Sequence, residues 1–285
     1  MGRGMATTHD GSDGSREVID EARAAIRVER RRTVDEREAF RTFRGRVESV
    51  STEATSPGGP SAATGFRGVA GPASGSGAAA DAGAGGPAGP PGSGLAAVRD
   101  AYAETVMSVP HYEAEYDDTY ERSVAAEFGP ELAYALTRSA GYHPEYEPAL
   151  IDAVESAIEE RDRLVERLEV EADSLDRAGS RLAAIRREIA SLDAAVPDGG
   201  FGALDACRAR AGVLVEDCDR IAARRQRVIA EHGRDLRLGD DVADLPTYLY
   251  QSTDATYPVL SAVGSIGERL DDLTRRIERA IARVG

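Results

Sequence analysis

The sequence predicts an all-α protein, a long antiparallel helical bundle of coiled-coil character carrying a disordered Gly/Pro/Ala-rich linker. The first sign is a seam from Leu150 to Leu192, whose members begin Leu150, Val154, Ala157, Arg161, Leu164, Leu168 and keep alternating at intervals of four and three for about six heptads. The second is composition. Aromatic residues make up only 5% of the 285 and Trp is absent, so a core must be built from Leu, Ile, Val and Ala. These side chains pack between helices at little cost in rotamer entropy. The third is the stretch 52–94, which holds 13 of the 30 glycines, 6 of the 13 prolines and only three charged residues. Such a segment has too little apolar surface to offset the entropy of ordering it.

Taken in order, residues 1–14 read as a frayed polar tail with no apolar signal region. A helix is expected over 15–51, with Ser15 as its cap and Glu17, Asp20 and Glu21 in the electrostatically favourable first turn. Ile19, Ile26, Thr33, Phe40 and Val47 recur every seventh position, joined by Ala22, Phe43 and Val50. Glu29 and Glu36 make the middle of that seam polar, which marks a weaker strand, docked only if a partner helix lies close. Residues 95–147 follow the linker as short helices with a Tyr-rich segment. Leu95, Val98, Tyr102 and Val106 form an amphipathic helix that Pro110 stops.

Residues 148–285 read as a three-helix antiparallel bundle. The first rod is about 69 Å long at 1.5 Å per residue. VPDGGFG (196–202) supplies the turn residues where its seam ends. Leu204, Cys207, Ala211, Leu214, Cys218, Ile221, Arg225 and Val228 then resume the spacing, as the return arm of a hairpin would. A last helix from Pro258 carries Val263, Ile266, Leu270, Leu273, Ile277, Ala280 and Val284. The return arm covers roughly 46 Å, so the rest of the long seam needs the last helix, the N-terminal helix or a second copy. Arg161, Glu171 and Arg225 interrupt the seams. They are expected to reach solvent at the bundle edge, or to fix register if they pair.

All 35 basic residues are Arg, against 50 acids, for a net charge of −15. A dense carboxylate surface of this kind suits a halophilic cytoplasm, where salt screens the repulsion. It argues against nucleic acid as a partner, because phosphate neutralisation needs the opposite sign and weakens with salt. The local clusters Arg30–Arg32 and Arg224, Arg225, Arg227 are expected to be solvated helix surface. No run approaches the roughly 20 apolar residues of a membrane span, so a soluble, cytoplasmic protein without membrane contact is expected. Cys207 and Cys218 stand about 16 Å apart on one helix, too far to bridge or to share a metal.

Motifs for chemistry are sparse. There is no Lys for a phosphate-binding loop, no nucleophile elbow and no His-Glu pair at zincin spacing. What remains is VMSVPHYEAEYDDTYE (106–121). His111 beside Pro110 and a string of carboxylates suggests a base or a metal ligand only if those neighbours converge, and neighbours on a turn mostly point apart. Tyr112, Tyr116 and Tyr120, four apart, are expected on one helical face. Tyr248, Tyr250 and Tyr257 form a second group on the connector before the last helix. Tyr suits a boundary with one apolar and one wet side, so both groups read as bundle caps or as partner surfaces.

The segments ETVMSVPHYEAEYDDTYERSVAAEFGPELA (104–133) and LPTYLYQSTDATYPVL (245–260) resemble the two recurring stretches of a haloarchaeal family of uncharacterised coiled-coil proteins, a domain of unknown function. The resemblance implies a helical cytosolic protein and supplies no catalytic, cofactor or metal residue. The sequence thus favours a non-enzymatic protein that associates with a protein partner or with itself, using no cofactor. The alternative is a regulatory relay whose N-terminal helix docks reversibly, and a third reading is an enzyme or metal-binding protein using His111.

Overall fold

The computed structural model describes residues 11–55, 93–138, 145–235 and 244–284. Among these residues every regular element is helical. They are α1 (Gly11–Thr55), α2 (Ser93–Thr105) with a 3-10 turn at Val106–Ser108, α3 (Tyr112–Glu115), α4 (Tyr120–Arg138), α5 (Tyr146–Ala195), α6 (Phe201–Asp235), α7 (Leu245–Leu249) and α8 (Pro258–Val284). The all-α expectation is met. None of the described helices is long and apolar enough to cross a membrane. Residues 1–10 and 56–92, which hold most of the expected tail and linker, lie outside the described residues. Helix nonetheless includes 11–14, 52–55 and 93–94, positions assigned by sequence to tail and linker.

The chain divides into two compact units, one of residues 1–34 and 163–285, the other of residues 35–162. Both α1 and α5 contribute to each. In the first unit, Ile19, Ala22 and Ile26 of α1 pack with Leu168, Leu175, Leu182, Ile185 and Ile189 of α5, Leu214 and Ile221 of α6, and Ile266, Leu270, Leu273 and Ile277 of α8. Leu245 and Leu249 of α7, with Tyr250 that follows it, join the same core. This core has four long helices where 148–285 alone was expected to supply three, because Ile19, Ala22 and Ile26 of α1 pack onto the seam that α5, α6 and α8 share. Ser15, the expected cap, is an interior position of α1. It is buried, and its hydroxyl accepts a hydrogen bond from Arg186 Nη1 at 3.1 Å.

The second unit packs Phe40, Phe43 and Val47 of α1 against Val98 and Tyr102 of α2, Val124 and Phe128 of α4, and Leu150, Val154 and Ala157 of α5. Aromatic rings concentrate here. Phe43 meets Tyr102 edge-on at 5.2 Å and stacks with Phe128 at 6.2 Å, while Phe40 meets Phe128 edge-on at 6.1 Å. In α4 the helical path kinks at Gly129, whose φ of 83° lies in the left-handed region that glycine adopts without penalty. Pro130 then starts the continuing turn, where its missing N–H costs nothing.

Cross-helix ion pairs set the helix directions. Within the first unit Arg23 binds Asp176 and Arg30 binds Glu169, each at 2.7 Å; within the second, Arg37 binds Asp162 at 2.8 Å and Arg44 binds Glu155 at 2.9 Å. The arginines lie seven apart on α1 and the acids seven apart, in reverse order, on α5, so the two helices run antiparallel. Each exposed pair contributes only about 0.2–1 kcal/mol. Register, more than stability, is what they report. Arg210 with Glu188 likewise runs α6 antiparallel to α5, and Arg276 with Asp193 at 2.7 Å brings the last turns of α8 and α5 together.

Phe43 is fully buried against the rings of Tyr102 and Phe128 and has no polar atom to satisfy, so Phe43→Ala is expected to lower stability by about 3–5 kcal/mol in denaturant unfolding. Val28→Ala, on the half-exposed flank of the same helix, is expected to change it by less than about 0.5 kcal/mol.

Candidate functional site

The polar residues that interrupt the seams converge on two carboxylates. In the second unit the centre is Glu36 of α1. Its Oε1 accepts a hydrogen bond from the Tyr116 hydroxyl at 2.8 Å and lies 3.0 Å from His111 Nε2, and its Oε2 accepts from Arg161 Nε at 3.2 Å. Arg161, on α5, also donates through Nη1 and Nη2 to the two oxygens of Glu127 on α4, at 2.9 and 2.7 Å. Its guanidinium carbon sits 4.7 Å above the Phe40 ring. Burial opposes the charge on Arg161, but Glu127 and Glu36 outweigh it and hold the guanidinium above its ordinary value. The Tyr116 hydroxyl is pushed up as well, first by burial and then by the Glu36 charge.

Local structure explains how His111 and Tyr116 reach the same carboxylate. Val109 is extended ahead of Pro110, and the chain then makes a single helical turn, α3, with His111 and Tyr116 flanking it. Asp117 adopts a φ of 43°, a left-handed conformation that a short polar side chain tolerates, and ends the turn. The three tyrosines therefore do not share one helical face. Tyr112 is buried, with its ring 5.5 Å from that of Tyr116, whereas Tyr120 starts α4 and packs edge-on to Tyr102 at 5.6 Å. Pro110 is exposed and ends the preceding turn.

In the first unit the centre is Glu171 of α5, 0% exposed. Arg225 of α6, 1% exposed, grips it with two hydrogen bonds, Nη1 to Oε2 at 2.6 Å and Nη2 to Oε1 at 2.5 Å. The Tyr250 hydroxyl donates to Oε1 at 2.6 Å. His232 Nδ1 lies 3.8 Å from Oε2, and neither ring nitrogen has a hydrogen-bond partner. Burial and the neighbouring Arg225 and Arg167 charges hold His232 below its ordinary value despite the attraction of Glu171. Burial, followed by the Glu171 charge, pushes the Tyr250 hydroxyl far above its usual range.

Alongside it, the Tyr248 hydroxyl donates to Glu29 of α1 at 2.5 Å. The Tyr257 hydroxyl donates to Asp244 at 2.8 Å, and Asp244 caps α7 by accepting from the Thr247 N–H at 2.8 Å. Burial works against the Asp244 charge, but these bonds hold its carboxyl below the usual range.

These positions correct two expectations. Arg161, Glu171 and Arg225 do not reach solvent at a bundle edge, and Arg225 is no part of a solvated basic surface. A seam charge facing an opposite charge in a water-excluded position gains more by pairing than it loses by desolvation only when further hydrogen bonds complete it; both carboxylates receive such bonds, while Arg225 Nε is left buried without a partner. Glu29 and Glu36, read as weak points of the α1 seam, are the acceptors for Tyr248, Tyr116, His111 and Arg161. The sequence signal for the clasps was present as charges of opposite sign at seam positions on helices expected to run antiparallel.

The chemistry available at Glu36 is that of a carboxylate–imidazole pair, but both carboxylate oxygens are engaged and the surrounding side chains are Tyr, Arg and Phe. Among the described residues no group of three or more His, Cys, Asp or Glu is arranged to hold a metal. The two thiols are free, and burial together with Asp219 and Asp217 pushes Cys218 up to about 11, which leaves it protonated at neutral pH.

An all-helical protein whose two units are each closed around a clasped carboxylate is the class that the fold and these centres define. The chain belongs to the family of the domain of unknown function DUF7260, whose model matches residues 17–274. No curated protein and no solved structure matches it.

Truncating one side of the Glu171–Arg225 pair strands the other charge in the core. Arg225→Met is therefore expected to cost about 3–5 kcal/mol in denaturant unfolding, with the double change to Met and Leu recovering much of the loss. His232 is neutral in the fold, so its contribution is fully present above its unfolded value, near 6.5, and is lost as pH falls below that towards its depressed folded value. Unfolding measured between pH 7.5 and 5 is expected to show a slope that His232→Leu removes.

Proposed function

We propose that this chain is a non-enzymatic helical protein that works by protein–protein association in a halophilic cytoplasm, with a second copy of itself as the partner that the end of the first unit fits. The observation that carries this reading is the apolar patch where α5 turns into α6. Phe201, 57% exposed, opens α6 next to a groove of about 340 Å³ lined by Val196, Pro197, Leu204, Ala280 and Val284, the last of these 53% exposed. The groove also carries Arg279 and Arg283, and the exposed Asp198 stands in the adjoining turn. An aromatic knob beside a groove, with charges of both signs at its rim, is self-complementary under a two-fold axis. Apolar burial of this kind persists in salt that screens the acidic surface.

The clasped centres support the non-enzymatic part. The imidazole at Glu36 is tied into a helix-to-helix contact, and the tyrosine tips expected to meet a partner are turned onto Glu36, Glu171, Glu29 and Asp244 within the chain. The competing relay reading requires α1 to leave its neighbours, exposing Ile19, Ile26, Phe40, Phe43 and Val47 at about 1.5–3 kcal/mol each. That cost exceeds what a modest signal supplies. Hydrogen exchange over 15–50 separates the two: slow exchange matching 150–192 fits a fixed α1, and faster exchange there fits a relay.

Light scattering after size exclusion is expected to give a dimer in both 0.2 M and 2 M KCl, and Phe201→Asp a monomer with unchanged far-UV circular dichroism. A monomer at every protein concentration, or a dimer indifferent to Phe201→Asp, would remove this surface.

A further inference from the structure

In a chain of 50 carboxylates and 35 arginines, the first unit gathers four arginines, Arg16, Arg23, Arg186 and Arg269, around few acids. A pocket of about 220 Å³ opens between the first turns of α1 and the middle of α5, lined among others by Arg16, Asp20, Arg23, Gly179, Ser180 and Arg186. At Gly179 an added Cβ would stand 3.0 Å from Arg23 Nη2 and 3.1 Å from Ile19 Cγ2, so the missing side chain lets α1 approach and leaves the cradle unfilled.

The charges around the cradle are unbalanced. Arg186 makes one hydrogen bond, from Nη1 to the hydroxyl of the buried Ser15, and among the described residues no carboxylate pairs with it. Arg269 of α8 has a buried Nη1 with no partner. Burial and the positive charges of Arg16 and Arg269 hold the Arg186 guanidinium below its ordinary value. Asp20, the acid in the lining, is shared between Arg16 at 3.4 Å and Arg23 at 2.9 Å, and Arg23 is also tied to Asp176. Like charges gathered this way cost folding stability, and among the described residues Asp20 and Asp176 offset them only in part, leaving Arg186 and Arg269 without a paired carboxylate. A cluster kept at that cost fits an anion supplied from outside.

We propose that this pocket binds a phosphoryl anion, either free or as the charged group of a small molecule, through the guanidinium groups of Arg186 and Arg16 with the Ser15 hydroxyl and the charge of Arg269 behind them. Guanidinium forks match the paired oxygens of a phosphoryl group, and the pocket holds a pyrophosphoryl group or a phosphate with a small ester. The site is independent of the proposed association surface, whose groove residues Val196, Pro197, Leu204, Ala280 and Val284 take no part in it.

The test is calorimetric titration of inorganic phosphate, pyrophosphate and a phosphate monoester, glycerol 3-phosphate, into the full chain, with KCl adjusted to constant ionic strength. Thermal unfolding is followed in parallel. One site is expected, with pyrophosphate raising the unfolding temperature. Preference for the monoester over phosphate would identify an esterified source, and the reverse a free one. Arg186→Gln is expected to weaken pyrophosphate by about tenfold or more, the loss of one charged hydrogen-bonding partner. Arg16→Gln, at a side chain 71% exposed, is expected to weaken it without disturbing the fold. Absence of heat and of a temperature shift with all three anions, or binding unchanged in both variants, would overturn the proposal.

Discussion

A carboxylate placed in a helix seam, where water cannot reach it, is the constraint around which each unit is arranged. Glu171 is fully buried, and the desolvation penalty for such an ion runs to several kcal/mol. Two bonds from Arg225 and one from Tyr250 offset it, and they do so in one relative position of α5, α6 and the segment around α7. The surrounding seam is built of Leu, Ile, Val and Ala, which pack almost as well after a slip of one heptad. The clasp does not: a slip would leave an unpaired charge in the core. It therefore selects a register among alternatives that apolar burial alone leaves close in energy.

The second unit uses the same device with a different surrounding. Glu36 receives Arg161, Tyr116 and the His111 ring, and Arg161 is completed by Glu127 and by the face of Phe40. Here rings rather than aliphatics fill the space, with Phe40, Phe43, Tyr102 and Phe128 in contact at 5.2–6.2 Å. In both units a short turn after a proline, Pro110 or the Pro246 of α7, delivers a tyrosine hydroxyl to the carboxylate. The two Tyr-rich segments are thus closures of helical cores, and their polar tips are used inside the chain.

Seen this way, the distribution of charge has three levels. Paired arginines at heptad spacing on α1 mark the direction of α5 at little energetic gain. Clasped arginines in the seams impose register at high stake. Around the Gly179 cradle Arg16 and Arg23 share Asp20, while Arg186 pairs with no carboxylate among the described residues. Association through the Phe201 end and anion capture at the cradle draw on separate residues, so neither depends on the chemistry of the buried centres.

The helical class, the seams of α1, α5, α6 and α8, and the turn at 196–202 were all legible in the sequence, because the spacing of apolar residues along one helix is a one-dimensional property. So was the presence of charges at seam positions. The fate of those charges was not. Whether Arg225 pairs with Glu171 or bends to solvent depends on which residue faces it across two helices, and whether His111 meets Glu36 depends on a left-handed Asp117 closing a turn after one revolution. The role of α1 in both cores was likewise undecided by spacing, since the stripe of Ile19, Ile26, Phe40, Phe43 and Val47 marks an apolar face without saying which helices cover it. Periodicity determined which faces are apolar; only the tertiary structure decided which faces meet, since pairing energies depend on distance and burial in three dimensions.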